Sequence, residues 1–160
     1  MAIKVPNGSE RTGTPRNIFP AGDFLFEVQS VDVKESFDEQ EGFKKGTNLN
    51  IRLSVEDVMQ DKNERLIGAT FFHNVFLMDE EHPKFDEPLK NDISNPPRTV
   101  GDLGYDQLAD IAIAAGLEMD EEFDEQELVG ARVWGRVRVY KDKNTGEDQN
   151  DVRKWSPVKE

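Results

Sequence analysis

Residues 47–58, TNLNIRLSVEDV, alternate Leu49, Ile51, Leu53 and Val55 with Asn48, Asn50, Arg52 and Ser54. Successive strand side chains point to opposite faces, so this run is a strand with one apolar and one polar side. Such a strand needs neighbours that meet its apolar side. Following Pro20-Ala21-Gly22, the run FLFEVQSVDVKES places Phe24, Phe26 and Val28 in one phase and Val31 and Val33 in the other. The slip near Gln29-Ser30 is what a β-bulge produces, and a long strand bent there can serve both halves of a barrel. After the polar turn QDKNER, LIGATFFHNVFLM makes a third strand. Its mixed side, Thr70, Phe72, Asn74 and Phe76, reads as the wetter one, against Phe71, His73, Val75 and Leu77.

Four prolines and alternating charges make residues 79–100 a surface excursion. Tyr105, Leu108, Ile111, Ala112 and Ala115 then recur at helical spacing, starting near Asp102 or Gly104, with Gly116 as the C-terminal cap. The run EMDEEFDEQE, with seven carboxylates and no base over residues 118–127, reads as a solvated linker. ARVWGRVRVYK and NDVRKWSPV close the chain as a hairpin around Asn144-Thr145-Gly146. The class is therefore mainly β: a five-stranded OB-type barrel in β-β-β-α-β-β order with one helix. Residues 1–19, rich in Gly, Pro, Ser and Thr, form a flexible N-terminal arm, and residues 20–158 a single OB-like domain.

Several function classes drop out. Without cysteine and with two histidines in unrelated contexts, there is no thiolate metal site, disulfide framework or nucleophile-base motif. No carboxylates fall at a metal-loop spacing, and neither a P-loop nor a dinucleotide fingerprint is present, so no metal, cofactor or catalytic role is expected. His73 reads as a strand residue and His82 as a loop residue. No stretch has the apolar length of a membrane span, and the first twenty residues lack a signal-peptide core, so a cytoplasmic location is expected. The net charge of -13 argues against a polyanionic partner, but it is unevenly spread. Residues 131–160 carry eight basic and five acidic side chains, leaving the preceding 130 at -16.

The fourth strand focuses that basic excess. If Val133, Val137 and Val139 face inward, with Gly135 leaving space between them, the outward set is Arg132, Trp134, Arg136, Arg138 and Tyr140. Alternating guanidinium and aromatic groups offer phosphate charge and flat stacking surfaces, the two needs of sequence-tolerant single-strand binding. Arg52 and Phe72 line the second and third strands, where OB domains take oligonucleotides. Lys44 and Lys45, beside Phe37 and Phe43, belong to the expected clamp loop between strands one and two. Lys141 and Lys143 belong to that between strands four and five. Phe72 and Phe76 serve equally well as core, Trp155 reads as a core plug, and the carboxylates in both loops fit a plain solubilising role nearly as well as a clamp.

The segments PAGDFLFEVQSVDVKES, TNLNIRLSVEDV, FFHNVFL, DQLADIAIAAGL, LVGARVWGRV and NDVRKWSPV resemble a family of small bacteriophage proteins, a conserved phage domain without assigned function. Members encoded near replication and recombination genes have been regarded as single-stranded DNA-binding proteins. The resemblance spans residues 20–158 by pattern. It implies a protein that coats single-stranded DNA during phage replication or recombination and engages phage or host replication and recombination proteins. The ending WSPVKE departs from the acidic tail of many single-strand binders, so residues 118–127 stand as an internal substitute. The expected function is non-enzymatic single-stranded DNA binding in the host cytoplasm. The alternative is an acidic protein-interaction or virion component that binds no DNA, and a weaker one is an acidic DNA mimic. Long strand edges also offer homo-oligomer pairing.

Overall fold

A computed structural model describes residues 2–10 and 18–159. Five antiparallel strands form one sheet: β1 (Gly22–Asp38), β2 (Phe43–Val58), β3 (Thr70–Met78), β4 (Arg132–Lys141) and β5 (Asp148–Pro157). The single α-helix among the described residues, α1 (Asp102–Ala114), lies between β3 and β4 in the chain. The element order is the one expected. Spatially the strands run β3-β2-β1-β4-β5, so β3 and β5 are the margins, each with one strand neighbour, and the ladder does not close.

The long first strand organises this sheet. It pairs with β2 along almost its whole length and with β4 over residues 22–27. Its register against β2 shifts between Val28 and Ser30, where the apolar phase changes, so Phe24, Phe26 and Val28 and then Val31 all reach the core. The alternating set of β2 is buried with them, beside Phe71 and Val75 of β3 and Val133 and Val137 of β4. Each large side chain buried this way contributes about 1.5–3 kcal/mol. Val139 departs from expectation: it is 39% exposed and pairs with Asn150. There the β4–β5 ladder has run past the core.

The helix covers the sheet's two margins, packing against both β3 and β5. Leu108, Ile111 and Ala112 are its buried stripe, and Gly116, at φ +79°, ends it in the left-handed conformation that glycine adopts without cost. Gly104 sets how closely it lies on β3, because a Cβ there would run into the Phe76 carbonyl oxygen. The acidic run is more than a linker. Met119 and Phe123 pack on the core, a 3₁₀ turn spans Glu125–Leu128, and Gln126 Nε2 donates to the Val31 carbonyl at 2.9 Å.

At the other end, Phe19 belongs to the folded body although it closes the expected arm. Its ring packs edge-on to Phe24 at 5.4 Å and Phe71 at 5.0 Å. Its backbone is clamped by Asn150, whose side chain accepts from the Phe19 N–H and donates to its carbonyl, both at 2.8 Å. Residues 2–10 are exposed, and the expected arm's residues 11–17 lie outside the described residues.

Candidate nucleic-acid interface

The register of β4 decides which cations on its outer face are free. Arg132 Nε donates to Glu56 Oε2 of β2 at 2.6 Å, and Arg136 Nε to Asp23 Oδ1 of β1 at 3.1 Å. Arg138 grips Asp151 of β5 with two bonds of 2.5 and 2.6 Å, its guanidinium 5.7 Å from the centre of the Tyr140 ring. Every arginine of the expected platform is thus paired to a carboxylate from a neighbouring strand. Glu56 also faces Glu27, and their mutual hydrogen bond and repulsion raise the Glu27 carboxyl above its usual range. Trp134 is half-buried. Its cross-strand neighbour Leu25 is buried but stands apart from the main core cluster, so this part of the face is a small apolar patch of its own.

The remaining expected contacts are dispersed. The β1–β2 loop shrinks to residues 39–42, which moves Phe37 onto β1 and Phe43, Lys44 and Lys45 onto β2. A strand extended to the turn leaves no clamp loop there. Lys44 is held by Glu35 at 3.2 Å and Asp79 at 3.9 Å. Arg52 is exposed on β2 directly opposite Phe72, with no ion pair among the described residues. Lys141 ends β4 opposite Asp148, and Lys143 sits in the turn whose Asp142 side chain accepts from the Asn144 and Thr145 N–H groups.

Phe72 and Tyr140, by contrast, meet at one site. The gap between the margins β3 and β5 is a groove of about 830 Å³, lined also by α1, and both rings border it. They are 56% and 42% exposed. Asn74, Gln107 and Gln149 give its walls amide donors and acceptors, Asn150 is held to the Phe19 backbone, and Arg153 and Lys154 add cations with no ion pair among the described residues. Asp110 and Asp151 are its carboxylates, the latter engaged by Arg138. A second cleft of about 950 Å³ shares Phe72, Asn74, Gln149 and Asn150 and continues past Phe19 to Arg65. Among the described residues the two clefts run together along the sheet margin.

Two rings seal the bottom of this path. Trp155 faces Gly135 on β4, where an added Cβ would sit 2.8 Å from the Phe26 ring and 3.2 Å from Trp155. The missing side chain lets both aromatics pack over the strand, with centroids 6.2 Å apart. His73 meets Trp155 edge-on at 5.3 Å, and its Nε2 is buried with no hydrogen-bond partner among the described residues. Burial pushes the imidazole down to about 4, against the opposing pull of Asp151, so the ring is neutral at pH 7. Trp155 is therefore both a core residue and a groove wall.

Arg153, Lys154, Asn74 and Asn150 were not singled out by the sequence pattern, yet one signal was available. Val152 and Trp155 both pack on the core although three residues apart, a spacing no regular strand permits. The β4–β5 register accordingly shifts between Arg136 and Val137, leaving Arg153 as the extra residue. No family model matches the chain, and no curated protein matches its sequence. Among the described residues no group of three or more acidic, histidine or cysteine side chains could hold a metal, and no helix is long and apolar enough to cross a membrane.

Proposed function

We propose that this chain is an OB-type protein that binds single-stranded DNA without catalysis and with little regard to sequence. The observation that carries the reading is the convergence of Phe72 and Tyr140 on one groove whose cations, Arg153 and Lys154, have no ion pair among the described residues. Rings exposed at a groove's rim stack on any base, at about 1–3 kcal/mol each, and unpaired cations take the backbone between them. The OB assignment is supported by connectivity: β1 is central and pairs with β2 and β4, and the helix lies between the third and fourth strands and packs on both margins.

Under this reading the binding surface is the β3–β5 margin, with Arg52, Arg65, Lys141 and Lys143 extending it. The outer face of β4 is secondary, because a phosphate approaching Arg132, Arg136 or Arg138 competes with a carboxylate already paired there. Trp134 is a minor stacking surface. The resemblance drawn from the sequence extends the reading to phage replication or recombination in the host cytoplasm. The test is a titration of the intrinsic tryptophan fluorescence with oligo-dT. Saturable quenching is expected, weakening with salt by a log-log slope of about 0.7 per phosphate neutralised. Absence of binding at low salt overturns the proposal. In that case the net charge of -13 favours the protein-interaction reading.

A further inference from the structure

On the other side of α1, away from the groove, the acidic run folds over an apolar cleft of about 640 Å³. Its floor includes Val33, Leu49, Leu77, Leu108 and Phe123. Val33 points toward it yet stays 46% exposed, so the cleft leaves apolar surface uncovered next to the core. Glu80, Asp120, Glu121 and Glu125 line its mouth, and among the described residues no lysine or arginine does. We infer that this cleft is a docking site for a segment of a partner protein that is basic and carries apolar anchors. The inference does not rest on the DNA-binding reading.

Both halves of the recognition are present. Apolar anchors would cover Val33 and its neighbours, and lysines or arginines flanking them would meet the carboxylates at the mouth. An anionic segment would be repelled, and a purely cationic one would leave the apolar floor wet. The local potential also registers on Tyr105, another lining residue. Its phenol is raised first by burial and then by Asp79 and Glu80. Lys44, which opposes them, is already engaged by Glu35 and Asp79. The backbone beneath the mouth is anchored through Gln126 to Val31, so the carboxylates are held over the cleft by the fold.

The experiment is selection of a random dodecapeptide library on the full chain, followed by titration of the enriched peptides by fluorescence anisotropy. Enriched peptides should be net positive with at least two large apolar residues. The exposed pair Asp120→Lys/Glu121→Lys should weaken them at least tenfold, and Val33→Lys likewise, while thermal melts establish that each variant folds. Glu39→Lys/Glu41→Lys makes the same change in net charge at the β1–β2 turn and should shift affinity less than twofold. Oligo-dT should not compete, which keeps the outcome separate from the groove. No enrichment, enriched peptides lacking charge or anchors, or equal losses in the two double variants would each overturn the inference. So would self-association of the chain that Asp120→Lys/Glu121→Lys abolishes, since it assigns the cleft to a second copy.

Discussion

The outer face of β4 and the margin groove hold the same kinds of side chain, aromatic rings beside cations, and differ in what their neighbours contribute. On β4 the strands to either side supply Asp23 and Asp151, and β2 beyond β1 supplies Glu56, so three guanidinium groups already have a carboxylate partner before any ligand arrives. At the margin, among the described residues, β5 has no partner strand beyond it, and Arg153 and Lys154 face no carboxylate within ion-pair reach. A sheet interior tends to complete its own charge pairs, while its edge leaves them for something else. A basic stripe in a sequence is a binding surface only where register leaves it unpaired.

The largest expected effect tests the groove directly. Phe72→Ala combined with Tyr140→Ala should weaken oligo-dT binding by at least about 2 kcal/mol, roughly thirtyfold, measured by fluorescence titration. Trp134→Ala should cost less than either single change. A Trp134 effect that exceeds the double variant's reverses the ranking of the two regions.

Next in size is the pH response of the groove floor. His73 is neutral in the fold with its value near 4, below its ordinary 6.5, so between those limits the unfolded chain binds the extra proton and stability falls as pH falls. Acidification from pH 7 to pH 5 should cost the native chain about 2 kcal/mol more than it costs His73→Phe, read from urea midpoints at the two pH values. Equal pH dependence of both chains would place His73 in water.

A smaller difference separates the cations. Arg153→Gln/Lys154→Gln should lower the salt slope of oligo-dT binding by about 1.4, the contribution of two phosphates on a single strand. Arg132→Gln/Arg136→Gln should change the slope by less than about 0.5, because exposed ion pairs of about 0–1 kcal/mol already hold those charges.

What could be foreseen from the sequence was whatever depends on near neighbours. The alternation of Leu49 to Val55, the phase slip at Gln29, the Gly116 cap and the wetter side of β3 are local patterns. Each appears where the periodicity puts it. The carboxylate partners of the β4 arginines were not legible, because Arg132 and Glu56 lie 76 residues apart and Arg136 and Asp23 lie 113 apart. Only the strand register brings them face to face. The groove was hidden for the same reason: it belongs to neither β3 nor β5 alone, and the gap between them exists only once β1 has taken the centre of the sheet. Phe72 and Tyr140 could be named singly, but their meeting could not.

Ultraviolet cross-linking of oligo-dT to the native chain, with adducts located by mass spectrometry, tests most directly which region takes the strand. Adducts on Phe72, Tyr140 and Trp155 are the expected result. Adducts confined to Trp134 and its neighbours Arg132 and Arg136, with Phe72, Tyr140 and Trp155 unmodified, would contradict it.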